Sequence, residues 1–235
     1  MIAPARIEEV AAGPEAYLSK ELGADVVDKD TSPLHQAAAR AFDAARTGVG
    51  AVRELASLLS IDVPRVGLPT GAEYLERFAT TVGNTIALPR AWRTPDRAAL
   101  RLALLPHEGV HVDQHQRGVK AGWWPKATTH SVLYLASIAG GDAAEYLGHV
   151  EADAYATTEA LRAWLGGARR PIADIADSLR RHYALAGVGV VVAEATLVSH
   201  YRTMDAGGIP NVRVCRAALD WLETHAADLR GLVPT

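Results

Sequence analysis

Apolar residues recur along most of this chain at helical spacing, three to four positions apart, and strand-like character is confined to one stretch. The first thirty residues have weak periodicity broken by Gly and Pro and read as a loosely attached helix and loop. At Asp30-Thr31-Ser32-Pro33 a capping residue precedes a proline suited to a helix's first turn. An Ala-rich segment follows to Ser60, with Gly48 and Gly50 breaking it in two. From Val63 to Arg93 Pro and Gly recur, and Thr80 to Leu88 sets β-branched residues around a turn-prone Gly83-Asn84, the one convincing strand region.

After Pro95 the pattern is helical again, with Asp96 near the start and Leu100, Leu104 and Val110 on one side; Pro106 must kink this helix or open a new one. A loop holding Trp123-Trp124-Pro125 follows, either as the wall of a cleft or with one ring in the core. Helices are then expected at 128–139, 142–165, 171–186, 189–204 and 210–229, with Gly-Gly pairs at 140–141, 166–167 and 207–208 between them. The fold class is α+β, mostly helical with a small sheet before the helix that carries residue 107. One domain is expected over 1–235, with an N-terminal helical segment at 1–60 and a C-terminal one at 166–235.

Composition narrows the functional classes. With 49% apolar and 22% charged residues the chain can bury a core, and a net charge of −3 without a Lys/Arg run argues against nucleic acid or an anionic membrane surface as partner. The longest apolar run, Tyr183 to Ala193, is too short and Gly-rich to span a bilayer, which takes about 20 residues. The single cysteine, Cys215, cannot form an internal disulfide and reads as a small buried hydrophobe. No export signal is visible in the first twenty residues, so a soluble cytoplasmic protein is expected.

The chemistry lies in Leu105-Pro106-His107-Glu108-Gly109-Val110-His111, an HExxH motif. On a helix, positions i and i+4 share a face, so two imidazoles reach one ion while the Glu between them points toward a bound water. Zinc lowers the pKa of such a water, and Glu108 can take its proton as it attacks a carbonyl. Gly109 is discordant inside a helix, unless another element approaches there. His115 would sit about 12 Å along the axis from His107, too far to share the ion, and is expected at the surface. Gln114 and Arg117 stand where the metzincin extension needs glycine and histidine, which excludes that subfamily.

A third ligand must come from elsewhere. The segment 142–165 has an apolar stripe of Leu147, Val150, Ala154, Leu161 and Leu165; Glu151 falls inside it, whereas Glu145, His149 and Asp153 fall outside. A core-facing carboxylate needs a partner, either a metal ion or an arginine from another helix. Glu194, which shares a face with Leu197, Val198 and Tyr201, is the second candidate, and His149 is a further one.

His107-Glu108-Gly109-Val110-His111 followed by Glu151-Ala152-Asp153-Ala154-Tyr155 resembles the gluzincin division of the zincin metallopeptidases, the group that includes thermolysin. The resemblance covers about 75 residues. It implies a zincin-like fold, a zinc ion held by His107, His111 and Glu151, Glu108 as catalytic base, and a peptide or protein substrate. It also implies an edge strand ahead of the motif helix, here Asn84 to Leu88, that pairs with the substrate backbone. In the family an Asp four residues beyond the ligand Glu orients a ligand histidine; Tyr155 stands at that position. Such enzymes place a Tyr or His near the developing oxyanion, and Tyr155, His182, Tyr183, His200 and Tyr201 are eligible. Two other classes compete. One is a non-catalytic zincin-like metal-binding protein with a structural or interaction role. The other is a helical di-iron carboxylate protein, which needs a second ExxH that this sequence lacks.

Overall fold

Long segments rich in Ala, Leu, Glu and Arg, all good helix formers, build most of the fold. The computed structural model describes residues 4–40, 43–44, 70–121, 142–182, 185 and 187–231. In chain order these form α1 (Pro4–Leu22), β1 (Asp25–Asp28), a helical stretch over 33–40, α2 (Gly71–Arg77), β2 (Thr80–Val82) and β3 (Thr85–Leu88). There follow α3 (Ala98–Lys120), α4 (Asp142–Leu165), α5 (Ile172–His182), α6 (Val188–Asp205) and α7 (Arg213–His225). The protein is thus mostly helical α+β. The break at Gly48 and Gly50, the Trp123-Trp124 loop, the helix expected at 128–139 and Tyr183 lie outside the described residues.

Gly83 takes a left-handed φ of 60° and turns β2 into β3 as an antiparallel hairpin, the pairing that the β-branched run predicts. The sheet has a third member that the pattern missed. β1 pairs parallel with β3, Asp25 opposite Thr85 through Asp28 opposite Leu88, and the strand order is β1-β3-β2. β3 is therefore interior. Ile86, Ala87 and Leu88 are all buried, as a strand covered on both sides requires. The expectation that Asn84 to Leu88 forms a substrate-binding edge is corrected: both sides of β3 are taken, and among the described residues the strand with a single neighbour on this side of the sheet is β2.

The N-terminal segment is also not loosely attached. α1 buries Val10, Ala11, Leu18 and Leu22 in the main core with Leu102, Leu105, Leu161 and Leu222, at about 1.5–3 kcal/mol of favourable burial for each large side chain. Pro106 neither ends nor restarts the motif helix, since α3 runs through it. Gly109 has a packing reason: a Cβ there would lie 2.4 Å from Leu18 Cδ2 and 3.3 Å from Val214 Cγ1, so α1 and α7 close on α3 at that residue.

α4 joins two cores. Ala154, Leu161 and Leu165 belong to the main cluster, whereas Leu147, Val150 and Ala156 pack with Ile175 and Leu179 of α5 and Val190, Ala193 and Leu197 of α6. Held on both sides, α4 presents its remaining face to α3. No helix of the described residues is long and apolar enough to cross a membrane.

Candidate metal centre

One turn of α3 separates His107 from His111, and α4 lies across that turn with Glu151 toward them. The ligating atoms of His107, His111 and Glu151 all fall within 4.8 Å of one another, and His111 Nε2 is 3.8 Å from Glu151 Oε1. Ligand atoms around one tetrahedral ion lie about 3.3 Å apart, so a small inward adjustment of side chains closes the site on a cation. The three residues are 2–5% exposed. Among the described residues they are the group that can hold a metal ion.

Hydrogen bonds fix which nitrogens face the centre. The Gln114 amide donates to the Val150 carbonyl at 3.3 Å, which turns its oxygen to His111 Nδ1 at 3.2 Å. The Thr158 hydroxyl donates to the Ala154 carbonyl at 3.3 Å, which leaves its oxygen to accept from His107 Nδ1 at 3.0 Å. Both imidazoles thus carry their proton on Nδ1 and keep a bare Nε2, the tautomer a metal ligand needs. Burial above all, with the neighbouring His111 and Arg170 acting in the same direction, holds the His107 pKa well below 6.5, so this ring is neutral. Sequence reasoning did not identify Gln114 or Thr158. The signal was present in their spacing, Gln114 three residues beyond His111 and Thr158 seven beyond Glu151, but polar residues at such offsets are common.

Glu108 lies beside the cluster. The Thr81 hydroxyl, on β2, donates to Glu108 Oε2 at 2.6 Å and leaves the other carboxylate oxygen unengaged by that bond. Beneath the hairpin, the wholly buried Lys29 donates to the carbonyls of Tyr74 and Phe78, each at 2.8 Å, and to Thr80 Oγ1 at 2.6 Å. Burial pushes the Lys29 pKa down to about 7, and attraction to the Glu108 carboxylate opposes that shift. A lysine at the end of a four-residue strand gave no sequence signal of this role.

The remaining candidates separate cleanly. Glu145 and His149 are exposed, the latter bonded through Nδ1 to Thr196 at 2.9 Å. Glu194 is only partly buried and pairs with Arg180 at 3.0 Å, away from the cluster. Asp153, expected to be solvated, is instead half-buried and bonded to His200 Nε2 at 2.9 Å. His115 is a correction as well: it is buried, because α3 is covered on nearly all sides and the β2–β3 turn sits over its ring. Tyr155, standing where the thermolysin pattern has Asp, does not hydrogen-bond His107 but meets its ring edge-on, centroids 5.1 Å apart at 87°. Tyr201 donates to the Arg170 carbonyl at 2.6 Å. Cys215 is buried as expected, with its thiol pushed up to about 12.

No family model, no curated protein and no solved structure matches the chain.

Proposed function

We propose that this protein is a zinc-dependent hydrolase that cleaves peptide bonds, organised as the gluzincin resemblance implies. The observation that carries the reading is the convergence of two bare imidazole nitrogens and the Glu151 carboxylate, with the Glu of the same HExxH beside them. Two neutral imidazoles and one carboxylate are the donor set of catalytic zinc sites that keep a fourth position for water. A zinc ion bound there supplies an acidified water and polarises the substrate carbonyl.

The chain's own residues do the rest. Glu108, oriented by Thr81, accepts the proton of the attacking water on its carboxylate and returns it to the departing amine nitrogen. Thr158 and Gln114 hold the two imidazoles so that neither ring turns as charge moves through the site. With β3 interior, the substrate backbone has β2 as the strand available for pairing, and Thr81 ties that strand to the base.

A second reading is favoured by one observation, the near-complete burial of the three donors: a closed structural metal site, with the domain non-catalytic. Glu108→Gln separates the two. In the hydrolase this variant keeps about one zinc per chain and its fold, while turnover of a peptide library falls by at least about 100-fold, because the amide cannot accept the proton. Wild-type activity in Glu108→Gln removes Glu108 from the mechanism. One zinc per chain without hydrolysis in the wild type supports the structural reading, and two irons per chain would favour the di-iron class.

A further inference from the structure

The segment between α4 and α5 delivers a cation toward the same centre. Arg170 is pinned at three atoms. Its backbone N–H and its Nε donate to the two oxygens of Glu159 at 2.8 and 2.7 Å, and its carbonyl accepts from the Tyr201 hydroxyl at 2.6 Å. Glu159 is wholly buried and needs one cation, yet Arg162 Nη1 also lies 3.7 Å from its Oε1. Arg169, the residue before Arg170, is matched by Asp205. Among the described residues three guanidiniums therefore face two carboxylates, so Arg162 and Arg170 together carry one positive charge more than Glu159 balances.

That charge has a direction. The Arg170 side chain is 31% exposed, and its two Nη nitrogens make no hydrogen bond to a described residue. Its guanidinium carbon stands 5.2 Å from the centroid of the Tyr155 ring, whose edge meets His107, so it lies within about 10 Å of that imidazole. A guanidinium clamped at Nε presents both Nη atoms as a flat fork, the shape that takes a carboxylate by two parallel bonds. One amino-acid residue advances a chain by about 3.8 Å, and the contacts at its two ends fill most of the remaining distance.

We propose that Arg170 is a specificity-determining residue that binds a carboxylate carried by the substrate one residue from the scissile bond. The inference rests on the metal-dependent hydrolase reading and adds the substrate class: peptides with a free carboxylate at that position, from a C-terminus or an acidic side chain. The C-terminal group is the shorter reach and is the one expected.

Cobalt-substituted full-length protein tests this by binding, through the thiolate-to-cobalt absorption band, without turnover. The probes are mercaptoacetyl-phenylalanine, its neutral α-amide, and mercaptoacetyl-aspartate α-amide. The acid is expected to bind roughly tenfold tighter than the neutral amide, the gain typical of a charge-assisted contact. Arg170→Met should bring that ratio to about one, whereas a purely structural arginine would weaken all three probes alike and leave the ratio standing. A preference for the aspartate probe in place of the acid assigns the side-chain source. Equal binding of acid and neutral amide by the wild type overturns the proposal even if the variant does not fold, as does a ratio that survives in Arg170→Met. Failure of the wild type to take up cobalt or zinc brings down the metal-centre reading itself, and this inference with it.

Discussion

Glu151 and Glu159 stand eight residues apart on α4 and are both buried, yet their surroundings are opposite in kind. Glu159 has both oxygens on Arg170 and a second guanidinium nearby, so its charge is balanced inside the chain. Glu151 meets the imidazoles of the motif helix, with another carboxylate, Glu108, one residue from the first of them. Hydrophobic patterning treats the two positions alike, as acidic residues on a core helix. What separates them among the described residues is the partner each one meets across the packing interface: arginines close a salt bridge at Glu159, whereas the imidazoles facing Glu151 form with it a group that could hold a cation.

Truncating each carboxylate sharpens that contrast, and the largest effect is expected at Glu151. Glu151→Ala should lower zinc affinity by more than the about 10–100-fold that loss of an outer-shell partner costs, measured by competition with a chelating dye. Glu145→Ala and Asp153→Ala should keep the metal. If Glu151→Ala still binds zinc tightly, its surroundings are no more a metal site than those of Glu159.

Glu159→Ala should show the reverse signature. Zinc stoichiometry stays near that of the wild type, while stability falls by about 2–3 kcal/mol, below the full cost of breaking a buried pair because Arg162 and Arg170 are partly exposed. Urea midpoints on the metal-free proteins measure it. A variant that loses metal without losing stability would show that Glu159 serves the centre and not the fold.

Much of this contrast was legible before the structure, and what was not has physical reasons. The stripe from Leu147 to Leu165 identified Glu151 as core-facing because helical periodicity is a local property. An arginine partner is an open alternative at Glu151; among the described residues an arrangement of that kind is seen at Glu159, through a residue in the next loop. α1 was discounted because Gly13 and Pro14 interrupt it, yet the interruption is a docking feature: a Cβ at Gly13 would fall 1.9 Å from a Trp221 ring carbon. β1 spans only Asp25–Asp28, too short to show alternation, and it joins a strand sixty residues away, so nothing local opposed the edge that the resemblance implies at β3. Long-range pairing of this kind leaves no trace in a window of ten residues.

The smallest effect concerns pH, and it tests whether the two sites differ in charge as well as in partner. Among the described residues the charged partners of Glu159 are guanidiniums, and no histidine is one of them. At the candidate metal centre the pKa of His107 is held well below its ordinary 6.5 by burial above all, with the neighbouring His111 and Arg170 acting in the same direction. Below pH 6.5 the unfolded chain therefore binds a proton at this residue that the folded metal-free protein does not. Stability from this source is complete above 6.5 and is lost as pH falls, with a limiting slope of about 1.4 kcal/mol per unit. Between pH 6.5 and 5.5, metal-free wild type should lose about 1 kcal/mol more than His107→Gln, read from urea midpoints at the two pH values. The buried His35, whose pKa is lowered to about 4, and His115 also make stability fall with acid, but they do so in both proteins and cancel in the difference. A difference of zero or of opposite sign would mean that His107 takes up a proton within the fold and pairs with Glu151 as an ion pair. The centre would then resemble the Glu159 salt bridge, with His107 offering no bare nitrogen to a metal.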